Sequence, residues 1–278
     1  MRRFVKTAPR EQAERLIAEA EGLRELASAR AVRIPEVFAC GVRDDEAFLE
    51  IERIEATAPT AASEATLGAQ LATQHRVTKP SFGWHRDNTI GLTPQHNGWM
   101  DDWIAFYRER RLGFQLELAR EHGFASLLQE RGERLLAVLP SLLSGHRPQP
   151  SLLHGDLWSG NWLTGEGGVP FIFDPAVYYG DREADLAMTH LFGGFSASFY
   201  RAYEVAWPLE AGHEMRRELY NLYHVLNHAN LFGGGYARQA RDMIDRLLAE
   251  AGGATTAAPT RARSPSRNSR RRCRRPAR

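Results

Sequence analysis

The sequence predicts an α+β fold in two lobes, a small strand-rich one at the N-terminus and a larger, mainly helical one after it. Three observations predict it. Short apolar runs of strand type concentrate within residues 1–58, beside one amphipathic helix. Stretches with helical apolar spacing dominate residues 59–251. With 278 residues, 43% hydrophobic and 25% charged, the chain is an ordinary globular composition long enough for two lobes and a cleft between them.

Taken in order, Arg3-Phe4-Val5-Lys6 reads as a strand with Lys6 at its end. Arg10 to Ala29 reads as a helix, because Ala13, Leu16, Ile17, Ala20 and Leu23 recur at helical spacing. Val32 to Val37 and Ala47 to Ile54 read as strands separated by a polar turn. The second leads toward the junction of the lobes, where backbone near Glu52, Arg53 and Ile54 is placed to bond an adenine. Thr60 to Ala65 is a small-residue linker, and Leu67 to His75 a helix. Phe82 to Trp103 lacks either periodicity but carries three tryptophans, so it is expected to be an ordered loop. Ile104 to Glu121 and Ala125 to Leu139 are amphipathic helices. Asp181 opens another that runs through Leu191, with Asp185 bonding back to nearby loop backbone. Leu219 to Leu231 is a helix ending at Gly233-Gly234-Gly235, and Tyr236 to Ala251 is the last.

The formal charge of +2 hides an uneven distribution. Nine of the 36 Lys and Arg side chains follow Glu250 and none of the 34 acidic ones does, so residues 1–250 carry −7. An acidic body argues against broad nucleic-acid binding. Residues 252–278 have no apolar periodicity and are expected to be a disordered, Arg-rich tail. Cys40 and Cys273 are too few and too far apart for a disulfide framework, which suits a reducing compartment. No apolar run spans a bilayer, and the expected location is the cytoplasm.

The chemistry concentrates between Leu152 and Asp174, where two short apolar runs bracket a polar loop and a Gly-rich turn. His154, Asp156 and Asn161 follow the H-x-D-x-x-x-x-N spacing of a kinase catalytic loop, in which the Asp accepts the acceptor hydroxyl's proton and the Asn holds a metal. Asp174 ends the run Phe171-Ile172-Phe173, at the position from which a second carboxylate reaches Mg²⁺. His154 is expected to orient the loop. A strand lysine followed by a helix glutamate is the pair that anchors ATP phosphates in kinases. Lys6 fits the first, unless it is a solvated strand-end lysine. Of Glu14, Glu19 and Glu21, Glu19 lies beside the apolar face formed by Leu16 and Leu23. His224 and His228 stand at i and i+4 without the Glu or third ligand of a zinc site, so packing roles are expected for them.

Three stretches together resemble the fructosamine kinase (ketosamine-3-kinase) family, relatives of the aminoglycoside phosphotransferases within the protein-kinase-like fold. They are HGDLWSGN at 154–161 with FIFDPAVYYGDREADLAM at 171–188, FGWHRDNTIGLTPQHNGWMDDWIAFYRERRL at 82–112, and LFGGFSASFYRAY at 191–203 with LYHVLNHANLFGGGY at 222–236. The resemblance implies phosphate transfer from ATP with Mg²⁺ to the 3-hydroxyl of a ketosamine, either free or on a glycated protein, as deglycation repair. It makes Asp156 the base, Asn161 and Asp174 the metal ligands, and Lys6 with Glu19 the phosphate anchor. Trp158 would lie against the sugar, unless it belongs to the core, and His228 is a further substrate candidate. The family's strand pair and Gly-rich loop are expected before Lys6, and only five residues precede it here. The N-lobe is therefore expected to be partial. Alternatives are a kinase of a free aminoglycoside or choline-like alcohol, and a kinase-like protein impaired by a missing loop.

Overall fold

The computed structural model describes residues 2–256. The chain begins with β1 (Arg3–Pro9), a 3-10 turn, and helix α1 (Ala13–Ser28). β2 (Val37–Arg43) and β3 (Glu46–Glu52) follow as a hairpin, and Asp44 and Asp45 between them both take the left-handed backbone that tight hairpin loops need. The antiparallel sheet has the order β1-β3-β2. Ala47, Leu49 and Ile51 alternate along β3 and are buried, as are Leu16, Leu23 and Leu26 of α1. Lys6 is opposite Leu49, in the middle of β1 and not at its end. The strand runs on to Pro9 because β1 is an edge strand of this sheet, where a missing N–H is tolerated. Val32 to Glu36 is not a strand: Pro35 interrupts it, and it makes only an isolated bridge from Arg33 to Phe171.

The segment read as a linker at Thr60 to Ala65 is instead the start of helix α2 (Ala61–His75). Thr60 Oγ1 accepts from Ser63 N–H at 3.1 Å, and Ser63 Oγ accepts from Thr60 N–H at 2.9 Å. That reciprocal cap outweighs the small side chains that suggested flexibility. The aromatic loop contains the hairpin β4 (Asn88–Ile90) and β5 (Thr93–Gln95). Helices α3 (Trp103–Tyr107), α4 (Phe114–Ala119) and α5 (Ala125–Leu142) are joined by wider π-type turns, and Gly123 at φ 86° redirects the chain before α5.

Four short strands carry the polar stretch: β6 (Ser151–Leu153), β7 (Trp162–Thr164), β8 (Pro170–Ile172) and β9 (Tyr178–Gly180). β6 pairs with β9 and β7 with β8. α6 (Arg182–Leu191) starts at its Asp181 cap, and α7 (Ala197–Ala206), α8 (His213–Phe232) and α9 (Gly235–Thr256) complete the larger lobe. α7 has no counterpart among the helices expected from the sequence. It lies so close to α2 that a Cβ on Gly68 would sit 2.2 Å from the Phe199 carbonyl oxygen. α9 continues past Ala251 to Thr256, whereas disorder was expected from Gly252; the Arg-rich remainder of that tail lies outside the described residues. No helix among the described residues is long and apolar enough to cross a membrane.

Several sets of bonds fasten the lobes together, the Arg33–Phe171 bridge among them. Thr57, just past the junction, donates from its N–H to Thr164 O at 2.7 Å and from its hydroxyl to Gly165 O at 3.0 Å. On the other side, α1 carboxylates meet the larger lobe. Arg86 donates to Glu21 at 3.0 Å and to Glu14 at 2.7 Å, and Tyr179 OH donates to Glu25 at 2.6 Å.

Candidate active site

The polar loop after β6 is held from below by Asp185 of α6. Its two oxygens accept from the N–H of His154 at 2.7 Å and of Gly155 at 2.8 Å. Two backbone donors and the His75 ring on one carboxylate keep it ionised, below the usual range despite full burial. Gly155 has φ 84°, and a Cβ there would meet the Ala176 carbonyl oxygen at 2.0 Å, so only glycine lets the loop lie against the following strand. His154 is buried, which keeps its imidazole neutral. Its Nε2 lies 2.9 Å from the Phe173 carbonyl and its Nδ1 3.2 Å from the Asp156 N–H. Only the Nε2–H tautomer satisfies both, so His154 braces the loop and the strand that carries Asp174.

Above this base five groups meet. Lys6 Nζ reaches Glu19 Oε1 at 2.6 Å and Asp174 Oδ1 at 2.5 Å. Burial alone would lower the lysine, but the two carboxylates outweigh it and its affinity for a proton is raised. Burial raises Glu19 as well, more than Lys6 lowers it. Asp174 has left-handed backbone, φ 57°, a costly state for a non-glycine residue that aims its carboxylate across the cleft. Asn161 donates Nδ2–H to the Asp156 carbonyl at 2.8 Å, leaving its Oδ1 without a donor among the described residues. That oxygen and the second oxygen of Asp174 are the hard donors a divalent cation takes. Asp156 is pushed up to about 7 by burial, then by the Asp185 and Asp174 charges.

Three cavities surround these groups, the central one sharing lining residues with each of the other two. The central one, about 180 Å³, is lined by Lys6, Glu19, Asp156, Asn161 and Asp174, together with Arg15, whose Nε has no partner among the described residues. Lys6 and Asp174 also border a second, about 430 Å³, with Phe4, Ile51, Glu52, Arg53 and Ile54 along its wall. Of the three backbone donors expected there, Glu52 N–H is committed to Glu36 O at 2.8 Å and Arg53 N–H to Arg2 O at 3.0 Å. The Ile54 N–H alone has no partner among the described residues.

Asp156 and Trp158 border the third cavity, about 260 Å³, whose far wall is Met188, Phe192, His228 and Phe232. Trp158 is 39% exposed, so it belongs to this wall and not to the core. Its ring meets Phe192 edge-on at 6.3 Å, and Phe192 meets His228 at 5.0 Å. His228 Nδ1 donates to the His224 carbonyl at 2.8 Å, and the pair has no third metal-binding side chain beside it among the described residues. Phe192, Phe232, Met188 and Arg15 were not singled out in the sequence. They come from α1, the end of α6 and the end of α8, and only the fold assembles them.

The family model for fructosamine kinases matches residues 1–250. A probable ketoamine kinase of Synechocystis sp. is 44% identical over 246 residues, which are 88% of this chain and 82% of that protein. A chloroplastic protein-ribulosamine 3-kinase of Arabidopsis thaliana is 44% identical over 233 residues, 83% of this chain and 71% of that one. The crystal structure of a fructosamine-3-kinase candidate from Haemophilus somnus superimposes with a TM-score of 0.82 at 30% identity, covering 88% of this chain and 83% of the other. An ADP-bound aminoglycoside phosphotransferase, 17% identical with a TM-score of 0.55, covers 91% of this chain and 86% of its own, and shares only the protein-kinase-like fold. By sequence and by fold, this chain belongs to the fructosamine kinase family of phosphotransferases.

Proposed function

We propose that the protein transfers the γ-phosphate of ATP, with Mg²⁺, to the 3-hydroxyl of a ketosamine, and that it acts in removing sugar adducts from amines. The observation that carries this reading is the junction at Asp156. Among the described residues it is the one carboxylate bordering both the cation-lined chamber and the aromatic cavity. A base must touch the attacking hydroxyl on one side and face the phosphate on the other.

ATP enters with its adenine in the cavity at Ile54, whose free N–H serves a ring nitrogen, and its phosphates run toward Lys6. Glu19 holds Lys6 in place for them, and Arg15 adds a second cationic donor in the same chamber. Such fixed donors cost no reorganisation as charge moves between oxygens. Asn161 and Asp174 would hold Mg²⁺, which when bound neutralises phosphate charge and fixes its geometry. Asp156 takes the proton from the acceptor hydroxyl as the new O–P bond forms and the γ-phosphorus bond to the β-phosphate oxygen breaks, releasing ADP. A base with a proton affinity near neutrality is well matched to that task. The sugar lies against Trp158, and Phe192, Phe232 and His228 face the rest of the adduct. Apolar rings beside one polar base suit a sugar ring's C–H face and orient it by few hydrogen bonds.

The test is incubation of the protein with ATP, Mg²⁺ and a panel of ribulosyl- and fructosyl-amines, followed by mass spectrometry. Addition of one phosphate to the ketosamine is expected. Transfer to an aminoglycoside or to choline, with none to any ketosamine, would overturn the reading.

A further inference from the structure

A fourth cavity, about 380 Å³, opens between α6, α7 and α8, and no catalytic group lines it. Its volume falls within the range of about 300–1,000 Å³ typical of small-molecule sites. Leu186, Ala187 and Leu209 make an apolar floor. On one side His190 lies flat on Tyr200, the centroids 4.1 Å apart and the planes 13° from parallel. Loss of water on that stacked face, then the charges of Arg217 and His213, hold the His190 imidazole down at about 4. It is neutral near pH 7 and offers a flat surface in a positive field.

The charges at the rim are not balanced. Arg201 and Arg217 both line the cavity, and among the described residues neither guanidinium has a hydrogen-bond or ion-pair partner. Of the two carboxylates there, Glu183 is taken by Arg216 through bonds of 2.7 and 2.8 Å. Glu204 accepts from the Leu209 N–H at 3.2 Å. An apolar floor with two unpaired guanidinium forks selects an anionic headgroup, carboxylate or phosphate, on a flat apolar body.

Tyr203 in the wall connects this cavity to the loop of Asp156. Its hydroxyl accepts from Arg182 at 3.2 Å and so donates to His75 Nδ1 at 2.8 Å. His75 Nε2–H then donates to Asp185 at 3.1 Å. Asp185 is the group that holds the His154 and Gly155 backbone. Leu186 and Ala187, in the floor, directly follow Asp185 on α6. We propose that the α6–α7–α8 cavity is an effector site for a small flat-bodied organic anion, and that occupancy is transmitted through Tyr203, His75 and Asp185 to the loop. The coupling is a bonded chain in which donation runs from Tyr203 through His75 to Asp185, and Asp185 also accepts from the loop amides. It needs no large movement of the helices.

Titration calorimetry with 2-naphthoate, 2-naphthyl phosphate and neutral 2-naphthamide tests the site. The stronger of the two anions should bind at least about ten-fold more tightly than the amide, since a hydrogen bond to a charged group is worth about 1.5–3 kcal/mol. Whichever anion binds better identifies the headgroup. Arg217→Gln, or Arg201→Gln should the first variant be unstable, should remove most of that preference. At saturation, the bound anion should change hydrogen exchange of the 154–156 amides. Tyr203→Phe should keep the binding and lose that change. Equal binding of anion and amide, no binding of either anion, or binding that leaves 154–156 exchange unchanged would overturn the proposal. None of these readouts needs turnover, so they stand apart from the fate of the kinase reading.

Discussion

The molecule contains two knots of acidic groups on either side of the β9–α6 junction, and they treat their charges in opposite ways. In the first, Asp181 accepts from His146 Nε2 and from Tyr220 OH, each at 2.5 Å, and from Glu183 N–H at 3.0 Å. Glu183 is locked to Arg216 by two bonds. These partners pull Asp181 below the ordinary carboxylate range although it is buried. In the second, Asp156 is half-buried at the meeting of two cavities, its carboxylate has only a 3.4 Å contact with Asn161 and two like charges nearby, and it rises to about 7. The deeper carboxylate is the one that stays ionised, because its hydrogen-bond partners outweigh its loss of water, and Asp156 has no such set. One cluster spends its hydrogen-bonding capacity on the fold, and the other leaves it for a substrate.

The largest expected effect is at the open cluster. Asp156→Asn keeps size and packing, so thermal stability should be unchanged or improved while ketosamine phosphorylation falls about 10²- to 10⁴-fold, the usual worth of a general base. Near-normal turnover would place the base elsewhere. The closed cluster should respond in the reverse sense. Glu183→Gln strands Arg216, 6% exposed, and removing one partner of a buried pair costs about 3–5 kcal/mol. Denaturant unfolding measures it, and nucleotide affinity should stay nearly constant. A double change, Glu183→Leu with Arg216→Met, should recover most of the loss.

Asp174→Asn is expected to act between these extremes. Loss even of outer partners weakens metal sites by about 10–100-fold, so the Mg²⁺ concentration for half-maximal activity should rise at least that much. Unchanged metal dependence would reject the role. Last and smallest is the pH response of the closed cluster. Burial opposes protonation of His146, but Asp181 outweighs it and the folded protein holds the proton more tightly than the unfolded chain. The stabilisation is therefore full below about pH 6.5 and is lost as pH climbs through the raised value. His146→Gln should flatten that part of the stability curve, a change on the order of 1 kcal/mol. A melting temperature falling equally in both proteins across that range would show that another group carries it.

The open cluster was legible because its members are close in sequence. The spacing of His154, Asp156 and Asn161 puts those three in the loop after β6, and the short β7–β8 hairpin returns Asp174 beside them. Glu19 could be chosen from three glutamates because helical spacing shows which side of α1 faces inward. The aromatic cavity was legible only at Trp158 and His228, and those through the family resemblance. Met188 and Phe192 at the end of α6 and Phe232 of α8 meet only through the packing of those helices, and no local pattern records it. The errors at Thr60 to Ala65 and Val32 to Val37 share a cause. Composition suggested a linker in one and a strand in the other, while a single cap and a single proline decided the outcome. The closed cluster escaped notice because His146, Asp181 and Arg216 are spread over a long separation and only Asp185 nearby had a nameable purpose.

The fastening of the lobes sets how a substrate can come and go. Thr57 is stapled to the β7–β8 turn, and α1 is clamped to the larger lobe through Glu14, Glu21 and Glu25. Rotation between the lobes must then be absorbed within residues 53–56, a pivot too short for a wide swing while those bonds hold. The cleft is consequently nearer to a fixed socket than to a jaw. Little ordering free energy is left to be found when a ligand arrives, which favours fast capture over induced closure.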